Sequence, residues 1–347
     1  MTASESHDDG APTPVGVKLG STRTVLDYPN GEGSDLVSTL TCLATYEDPI
    51  TGEEKVLYGD EAAVEYPDRV NYMLRSGLPE DEAGARATSR FFETLVETES
   101  IPEHSAVVYA VPTIDNEQGV RNLTSVIEDS DIGRVESRSF PESLCGAIPA
   151  YGDGLEAIEE VFISVNMGST TLEACAYRRG EQLSPYSTGA VTGNEVDRWI
   201  VSAIEEETQG RVHVDRTTAR EYKEVHGDLA EFEPFTDVVQ QPGGGSHEFT
   251  VERGVTEPLD RYVDDAVDAV ANEFLPELAG DHMKPYQLAL GKPIAVTGGM
   301  ACVPGLVDEF EARLREELDR DVDVVAPENP ATAAAEGAGR IAERLAE

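Results

Sequence analysis

The chain has 347 residues, more than the roughly 250 to 300 at which single cores stop growing, so two domains are expected. Its 68 acidic and 26 basic side chains give a formal net charge of −42, which argues against a nucleic-acid-binding protein because phosphate binding needs clustered Lys and Arg. Hydrophobic residues make up 39% of the chain and recur in amphipathic segments, which argues against an acidic disordered protein.

The N-terminal residues 1–13 are polar and acidic, and we expect them to form a disordered tail. They contain neither the core of a signal peptide nor the apolar face of a membrane anchor, and no stretch of the chain approaches the roughly 18 apolar residues of a membrane span. The sequence therefore predicts a cytoplasmic protein without a direct membrane anchor. Four cysteines occur without a CxxC pair, which favours buried reduced thiols over a disulfide or a zinc site.

The first structured segment, VGVKLGSTRT (Val15 to Thr24), is typical of a strand that enters a tight turn of small hydroxyl residues. Such a turn presents backbone N–H groups to an anion. The stretch VKLGST (17–22) recurs as VNMGST (165–170), 148 residues later. Two copies at domain spacing indicate a duplicated fold with one phosphate-type hairpin in each half. The alternative is a pair of ordinary hairpin turns, because Gly-Ser-Thr is common turn chemistry.

Strands and helices alternate along the rest of the chain, which predicts an α/β fold with partly parallel sheets. Residues 105–112 are typical of a buried strand and 193–210 of an amphipathic helix that ends at a glycine. Near the C-terminus, KPIAVTGGMACVPGL (292–306) combines an apolar strand with a Gly-Gly turn. Because glycine has no Cβ, this turn allows the backbone to approach a flat ligand closely.

Five blocks stand in the order and spacing of the actin superfamily: GVKLGSTRT, PESLCGAIPAYG, ISVNMGSTTLEA, VTGGMACVPGL and PATAAAEGAG. They resemble the first phosphate loop, first connecting helix, second phosphate loop, adenosine motif and second connecting helix. The resemblance covers nearly the whole chain and is closest to bacterial MreB. Five lysines against 21 arginines, within an acidic surface, resemble proteins of salt-loving archaea and hence the haloarchaeal actins, salactin and volactin.

The resemblance implies an α/β fold of two duplicated actin-like (ribonuclease H-like) domains that flank a nucleotide cleft. Domain I would comprise residues 14–152, with a small subdomain IB within 27–95, and would be completed by the C-terminal helix in 325–347. Domain II would comprise residues 153–324, with a small subdomain IIB within 205–255.

The resemblance also implies a nucleotide cofactor, ATP or GTP, and a set of residues around it. Glu142 matches the family's residue that orients the attacking water; the alternative is a solvated acid at a helix start, where a negative charge is favourable. Glu221 and Lys223 would lie beside the ribose or base, unless they belong to an ordinary exposed helix face. The phosphate-binding positions are Lys18, Gly20, Ser21, Thr22, Asn166, Gly168, Ser169 and Thr170, and the adenosine would be lined by Gly298, Gly299 and Met300.

Two positions depart from the family, which has an aspartate in each phosphate hairpin where this chain has Lys18 and Asn166. The two replacements shift the formal charge beside the nucleotide by +3, and a unit charge at about 4 Å is worth about 1 to 4 kcal/mol at effective dielectrics of 80 to 20. Mg²⁺ binding should therefore be weaker than in the family, and we assign no residue as a metal ligand. We expect at most a weak ATPase or GTPase activity. Lys18 would act as a fixed counter-ion for phosphate; alternatively, it points to solvent from a hairpin that binds no nucleotide.

The function implied by the resemblance is that of a filament-forming cytoskeletal protein that polymerises with itself and acts in cell shape or intracellular organisation. A non-polymerising nucleotide sensor or scaffold on the same fold is the alternative. A sugar or acetate kinase is disfavoured, because the chain has no evident substrate domain and no aspartate in either hairpin.

Overall fold

The computed structural model describes residues 11–29, 33–113, 116–152, 154–241 and 245–347. Most of the expected N-terminal tail, residues 1–10, lies outside these ranges. The chain divides into two compact units. The first contains the chain up to Val111, Asn116–Phe140 and Ala338–Glu347, and the second contains Pro141–Gly337 together with the short connection after Val111.

The described residues of the first unit form two sheets and three α-helices, followed by the end of the C-terminal helix. Its elements are β1 (Thr13–Leu19), β2 (Arg23–Pro29), β3 (Ser34–Leu40), β4 (Cys42–Glu47), β5 (Glu54–Tyr58), α1 (Gly59–Glu65), β6 (Val70–Tyr72), α2 (Glu82–Thr98), β7 (Ser105–Val111), α3 (Glu117–Glu128) and β8 (Glu136–Pro141), which ends at the boundary between the units.

The main sheet of the first unit has the strand order β3-β2-β1-β7-β8. Strands β1, β2 and β3 pair antiparallel, whereas β7 pairs parallel to β1. All seven residues of β7 are buried, as is typical of a strand inside a sheet covered on both faces. A second, three-stranded sheet, β5-β4-β6, lies within the range expected for subdomain IB and packs with α1 around Cys42 and Ala62.

The main segment of the second unit, Pro141–Gly337, begins with a helix. Its elements are α4 (Glu142–Ala150), β9 (Val161–Met167), β10 (Leu172–Arg178), β11 (Glu181–Thr188), α5 (Gly193–Glu207), α6 (Arg216–His226), β12 (Phe235–Gln241), β13 (Gly245–Val251), α7 (Thr256–Asp268), a π-helical turn (Ala269–Phe274), α8 (Leu275–Asp281), α9 (Met283–Ala289), β14 (Ile294–Thr297), α10 (Leu306–Leu318), β15 (Val324–Val325) and α11 (Ala333–Ala346), whose last turns belong to the first unit.

The main sheet of the second unit repeats the first. Its strand order is β11-β10-β9-β14-β15, with β9, β10 and β11 antiparallel and β14 parallel to both β9 and β15. If the five strands of each sheet are numbered in chain order, both sheets have the order 3-2-1-4-5. This repetition confirms the duplicated α/β fold that the repeated VKLGST and VNMGST segments predicted. The β12–β13 hairpin lies within the range expected for subdomain IIB, where Phe235 packs against the ring of Tyr222.

Side-chain caps explain where several helices begin. Asp81 accepts a hydrogen bond from the backbone N–H of Gly84 at the start of α2, and Asp215 does the same for Thr218 at the start of α6. Thr192 caps α5 by accepting from the N–H of Glu195. A side-chain cap of this kind contributes about 1 kcal/mol and fixes the first turn of its helix.

Helix α4 belongs to the second unit, although the family resemblance places its sequence in domain I. The physical reason is its packing: a Cβ at Gly146 would lie 2.9 Å from Oγ1 of Thr297 at the end of β14. A Cβ at Gly337 of α11 would overlap the carbonyl oxygen of Cys145, so the small residues of both helices permit a very close approach.

The four cysteines have free thiols in this structure. Cys42, Cys145 and Cys175 are buried, as expected, whereas Cys302 is exposed. In the part of the chain that the structure describes, no helix combines the length and the apolar character needed to cross a membrane.

Candidate functional site

The turn of the first hairpin is closed by its own backbone. The N–H of Gly20 donates to the carbonyl oxygen of Arg23, with an N···O distance of 3.1 Å. A Cβ at Gly20 would lie 2.6 Å from that oxygen, so the turn requires glycine here. Ser21 Oγ accepts a hydrogen bond from the N–H of Gly77 at 2.7 Å, and the N–H of Thr41 donates to the carbonyl oxygen of Thr22.

The turn of the second hairpin has the same construction. The N–H of Gly168 donates to the carbonyl oxygen of Thr171 at 2.9 Å, and a Cβ at Gly168 would lie 2.8 Å from that oxygen. The start of α5 closes on this turn, since the N–H groups of Gly193 and Asn194 donate to the carbonyl oxygens of Gly168 and Ser169. The second turn is therefore held both by its own backbone hydrogen bond and by the start of α5.

Lys18 and Asn166 occupy equivalent places in the two sheets. Each lies two residues before the glycine of its turn. In the antiparallel pairs, Val25 is opposite Lys18, whereas Glu173 is opposite Asn166. The two repeats that align in sequence therefore also align in structure. Beside Asn166 lies Glu173, a buried acid that the sequence analysis missed.

Lys18 is half-buried, and its aliphatic stem follows the first turn. Its Cε lies 3.4 Å from the position that a Cβ of Gly20 would take. The side chain thus lies against the turn residues that the sequence assigned to phosphate binding.

In the second unit, the ends of β9 and β14 meet the start of α4. The strands pair in parallel with Thr297 opposite Asn166, so both end at the same edge of the sheet. There Asn166 Nδ2 donates to Oε1 of Glu142, the first residue of α4, at 3.0 Å. Gly298, at φ +93°, follows β14, and a Cβ on it would lie 2.6 Å from Asn166 Oδ1. Three sequence-predicted site residues therefore come together.

A buried ion pair lies at the start of α5. Lys223 of α6 donates to Asp197 Oδ1 at 2.6 Å and to the carbonyl oxygen of Gly193 at 3.1 Å, and the side chains are 9% and 7% exposed for Lys223 and Asp197 respectively. Burial raises the pKa of Asp197, and the adjacent ammonium opposes that rise. An ammonium has three N–H donors, and two are used by partners among the described residues.

Gly193 marks a point at which three segments of the second unit come close together. A Cβ there would lie 3.1 Å from Sδ of Met300, 3.3 Å from Cα of Ser169 and 3.4 Å from Nζ of Lys223. The second phosphate turn, the adenosine motif and the buried lysine therefore converge on one point of the second unit. At Gly299, by contrast, no described atom lies within 4 Å of the position that a Cβ would take, so the backbone there is open.

The structure separates Glu221 from Lys223. Both lie on α6, but Lys223 is buried whereas Glu221 is exposed, because residues two apart do not share a helix face. Asp197 was missed by the sequence analysis. A signal for it was present, since this acid lies at helical spacing from the buried Ile200 and Ile204 of α5.

The comparisons with known proteins extend over almost the whole chain. A family model named Salactin matches residues 12–346. Salactin of Halobacterium salinarum is 60% identical over 334 residues, which cover 96% of this chain and 92% of that protein.

Solved structures of low sequence identity share the fold. MreB5 of Spiroplasma citri bound to ADP has a TM-score of 0.76 at 18% identity and covers 96% of this chain and 97% of its own. A MamK double helical filament has a TM-score of 0.75 at 18% identity, with 95% and 98% covered. Human actin-related protein Arp8 in its ATP-bound state has a TM-score of 0.73 at 11% identity, with 94% and 90% covered. The two repeated sheets are thus those of the actin fold.

Proposed function

Because this chain belongs to the salactin family and has the actin fold, we propose that it is a nucleotide-binding cytoskeletal protein that polymerises with itself. The observation that carries the proposal is the convergence, on Gly193, of the second phosphate turn, Met300 and the buried ammonium of Lys223. A tight Gly-Ser-Thr turn near a buried ammonium suits an anionic ligand such as a nucleotide with its phosphates.

Nucleotide binding is further supported by two of the similar structures, MreB5 of Spiroplasma citri bound to ADP and human Arp8 in its ATP-bound state. In this chain, Ser169 and Thr170 of the second turn would hold phosphate, Lys223 would donate to the ribose or base, and Gly298 and Met300 would lie against the adenosine. The bound nucleotide would supply a terminal phosphate whose hydrolysis can time assembly. Gly20, Ser21, Thr22 and Lys18 of the first unit would bind phosphate through the equivalent hairpin.

Self-association is supported by the filament described for MamK. We propose a homopolymeric filament in the cytoplasm of a salt-loving archaeon, with a role in cell shape or intracellular organisation. Hydrolysis would be slow and depend on Glu142, and Mg²⁺ binding would be weakened by Lys18 and Asn166. The proposed nucleotide is ATP or GTP.

The test is sedimentation of the purified protein in molar KCl with ATP, GTP, ADP or no nucleotide, combined with a binding titration of each. We expect saturable nucleotide binding and a pelleted fraction that depends on the nucleotide. A protein that binds nucleotide but sediments as a monomer at every concentration would support a non-polymerising sensor or scaffold. A protein that binds no nucleotide at all would contradict the proposal itself.

A further inference from the structure

The hydrogen bond between Asn166 and Glu142 joins two positions that the sequence treats separately. Asn166 Nδ2 lies 3.0 Å from Glu142 Oε1, and the asparagine is only 3% exposed. A buried amide next to a carboxylate must be hydrogen-bonded to avoid an unfavourable desolvation. The contact is therefore a fixed feature of this edge of the sheet.

The chemistry of the two groups determines which way the amide is turned. An ionised carboxylate only accepts hydrogen bonds, so the NH₂ group of Asn166 must face Glu142. The amide oxygen then points toward Gly298, where the absence of a Cβ makes room for it. Gly298 has a φ of +93°, a conformation that favours glycine, so the backbone and the amide orientation support each other.

Glu142 is placed where a negative charge is favourable. It is the first residue of the nine-residue helix α4 and is half-buried. An acidic side chain in the first turn interacts favourably with the helix dipole, and the amide of Asn166 donates a hydrogen bond to the carboxylate.

Two acidic residues, Glu142 and Glu173, are neighbours of Asn166. Glu173 is opposite Asn166 on β10, is 2% exposed, and accepts a hydrogen bond from the N–H of Thr113 at 3.0 Å. Cys145, one turn along α4, is buried, and burial raises the pKa of its thiol, so it adds no charge near Glu142. An aspartate in place of Asn166 would thus place a third acidic side chain next to Glu142 and opposite Glu173.

We propose that Asn166 is a positioning residue that orients the Glu142 carboxylate for water activation. The inference rests on the proposed nucleotide binding and deepens it. In the reaction, the water oxygen bonds to the terminal phosphorus, the bond from that phosphorus to the bridging oxygen breaks, and the water proton passes through Glu142 to the released phosphate. Asn166 touches neither water nor phosphate in this account and acts through Glu142 alone.

The test is steady-state nucleotide hydrolysis by Asn166→Asp, which keeps the size of the side chain, and by Asn166→Leu, which keeps its branching but is larger. Both remove the donor, and the first adds a like charge as well. We expect kcat to fall about tenfold or more in both, with the larger fall in Asn166→Asp, and KM to change less than about threefold, because general-base contributions are typically 100- to 10,000-fold. If Asn166 is merely a lost catalytic aspartate, Asn166→Asp will be faster than the wild type. That result, or a wild-type kcat in Asn166→Leu, overturns the proposal.

A swapped pair controls for folding. The single variant Glu142→Gln has no carboxylate at this position, and its kcat is the floor for the comparison. In the double variant, Glu142→Gln with Asn166→Asp, the amide now at position 142 can donate a hydrogen bond to the carboxylate at position 166. We expect this double variant to recover the thermal midpoint lost by Asn166→Asp while kcat stays at the floor. Wild-type turnover in the double variant contradicts a catalytic role of Glu142 and overturns the proposal.

Two results for the wild-type protein distinguish a failure of this inference from a failure of the proposed nucleotide binding. A wild-type protein that binds nucleotide without any turnover overturns the inference and leaves nucleotide binding intact. A wild-type protein that binds no nucleotide contradicts the proposed function, and the variants then have no substrate to act on.

Discussion

Lys18 and Lys223 lie in different surroundings, although the sequence assigns both to the nucleotide. Lys223 is buried and held by Asp197 and Gly193, whereas Lys18 is half-buried along its turn. Removing one member of a buried ion pair costs about 3–5 kcal/mol, while exposed pairs contribute about 0–1 kcal/mol. The two lysines should therefore respond differently to substitution.

For Lys223→Met we expect a loss of about 3 kcal/mol in the free energy of unfolding near pH 8, because Asp197 is left buried without its partner. Burial raises the pKa of Asp197 in the folded protein, so a proton bound there favours folding. Relative to the wild type, the variant should be least destabilised at acid pH and lose stability as the pH rises. Denaturant unfolding at pH 5 and pH 8 measures this.

The control is Lys55→Met. Lys55 is also 2.6 Å from its partner, Asp48, but is exposed, so its removal should change stability little at either pH. Equal losses in the two variants would show that the burial of the Lys223 pair does not matter.

For Lys18→Asp we expect nucleotide affinity without Mg²⁺ to fall at least tenfold, since a cation beside phosphate becomes an anion. Added Mg²⁺ should restore more affinity to the variant than to the wild type. Nucleotide titrations with and without Mg²⁺ measure both effects, and Lys55→Asp serves as a control with the same change of charge. Equal affinities in all of these proteins would end the counter-ion hypothesis.

At the scale of the elements, the two hairpin turns were recognised from a six-residue repeat, and the structure shows why glycine recurs. Each turn glycine donates to the carbonyl oxygen three residues later and has no room for a Cβ. The sequence showed the repeat but not the closure of the second turn by α5, because that contact joins segments about 25 residues apart through tertiary packing.

Gly168→Ala should therefore lower the free energy of unfolding by about 1–3 kcal/mol, the usual cost of forcing an atom into a filled space, and weaken nucleotide binding. Gly280→Ala is the matched control: Gly280 lies in α8 with no described atom within 4 Å of a Cβ, so alanine should stabilise the helix by up to about 1 kcal/mol. Denaturant unfolding measures both. A Gly168→Ala protein as stable as the wild type would show that the turn can relax.

At the scale of the whole molecule, the net charge of −42 dominates. Most ion pairs among the described residues are exposed, as in Arg121 with Glu117 or Arg253 with Glu257, and cannot neutralise so many acids. In molar salt the Debye length is about 3 Å, so repulsion between surface acids is screened, whereas a buried pair such as Lys223 with Asp197 is screened much less.

We expect the midpoint of thermal unfolding to rise strongly between dilute buffer and molar KCl, because screening removes self-repulsion of the folded chain. Melting curves at a series of KCl concentrations test this. A midpoint that does not change across the series would contradict the interpretation of the acidic surface as an adaptation to salt.

The sequence by itself determined the fold class, the duplication and the family resemblance, because each depends on local patterns: apolar periodicity, the repeated glycine turns and the order of five motifs along the chain. It also determined the acidic character of the surface, which is a matter of composition. Glu142, Lys223 and Met300 were singled out by motif alone.

Only the tertiary structure decided how these residues meet. The bond from Asn166 to Glu142, the pairing of Lys223 with Asp197, and the burial of Glu173 beside Asn166 each join residues from different elements. Their spacing along the chain contains no signal for such contacts, since strand pairing and helix packing set which side chains face each other. The same packing placed α4 in the second unit and put Glu221 on the opposite side of its helix from Lys223.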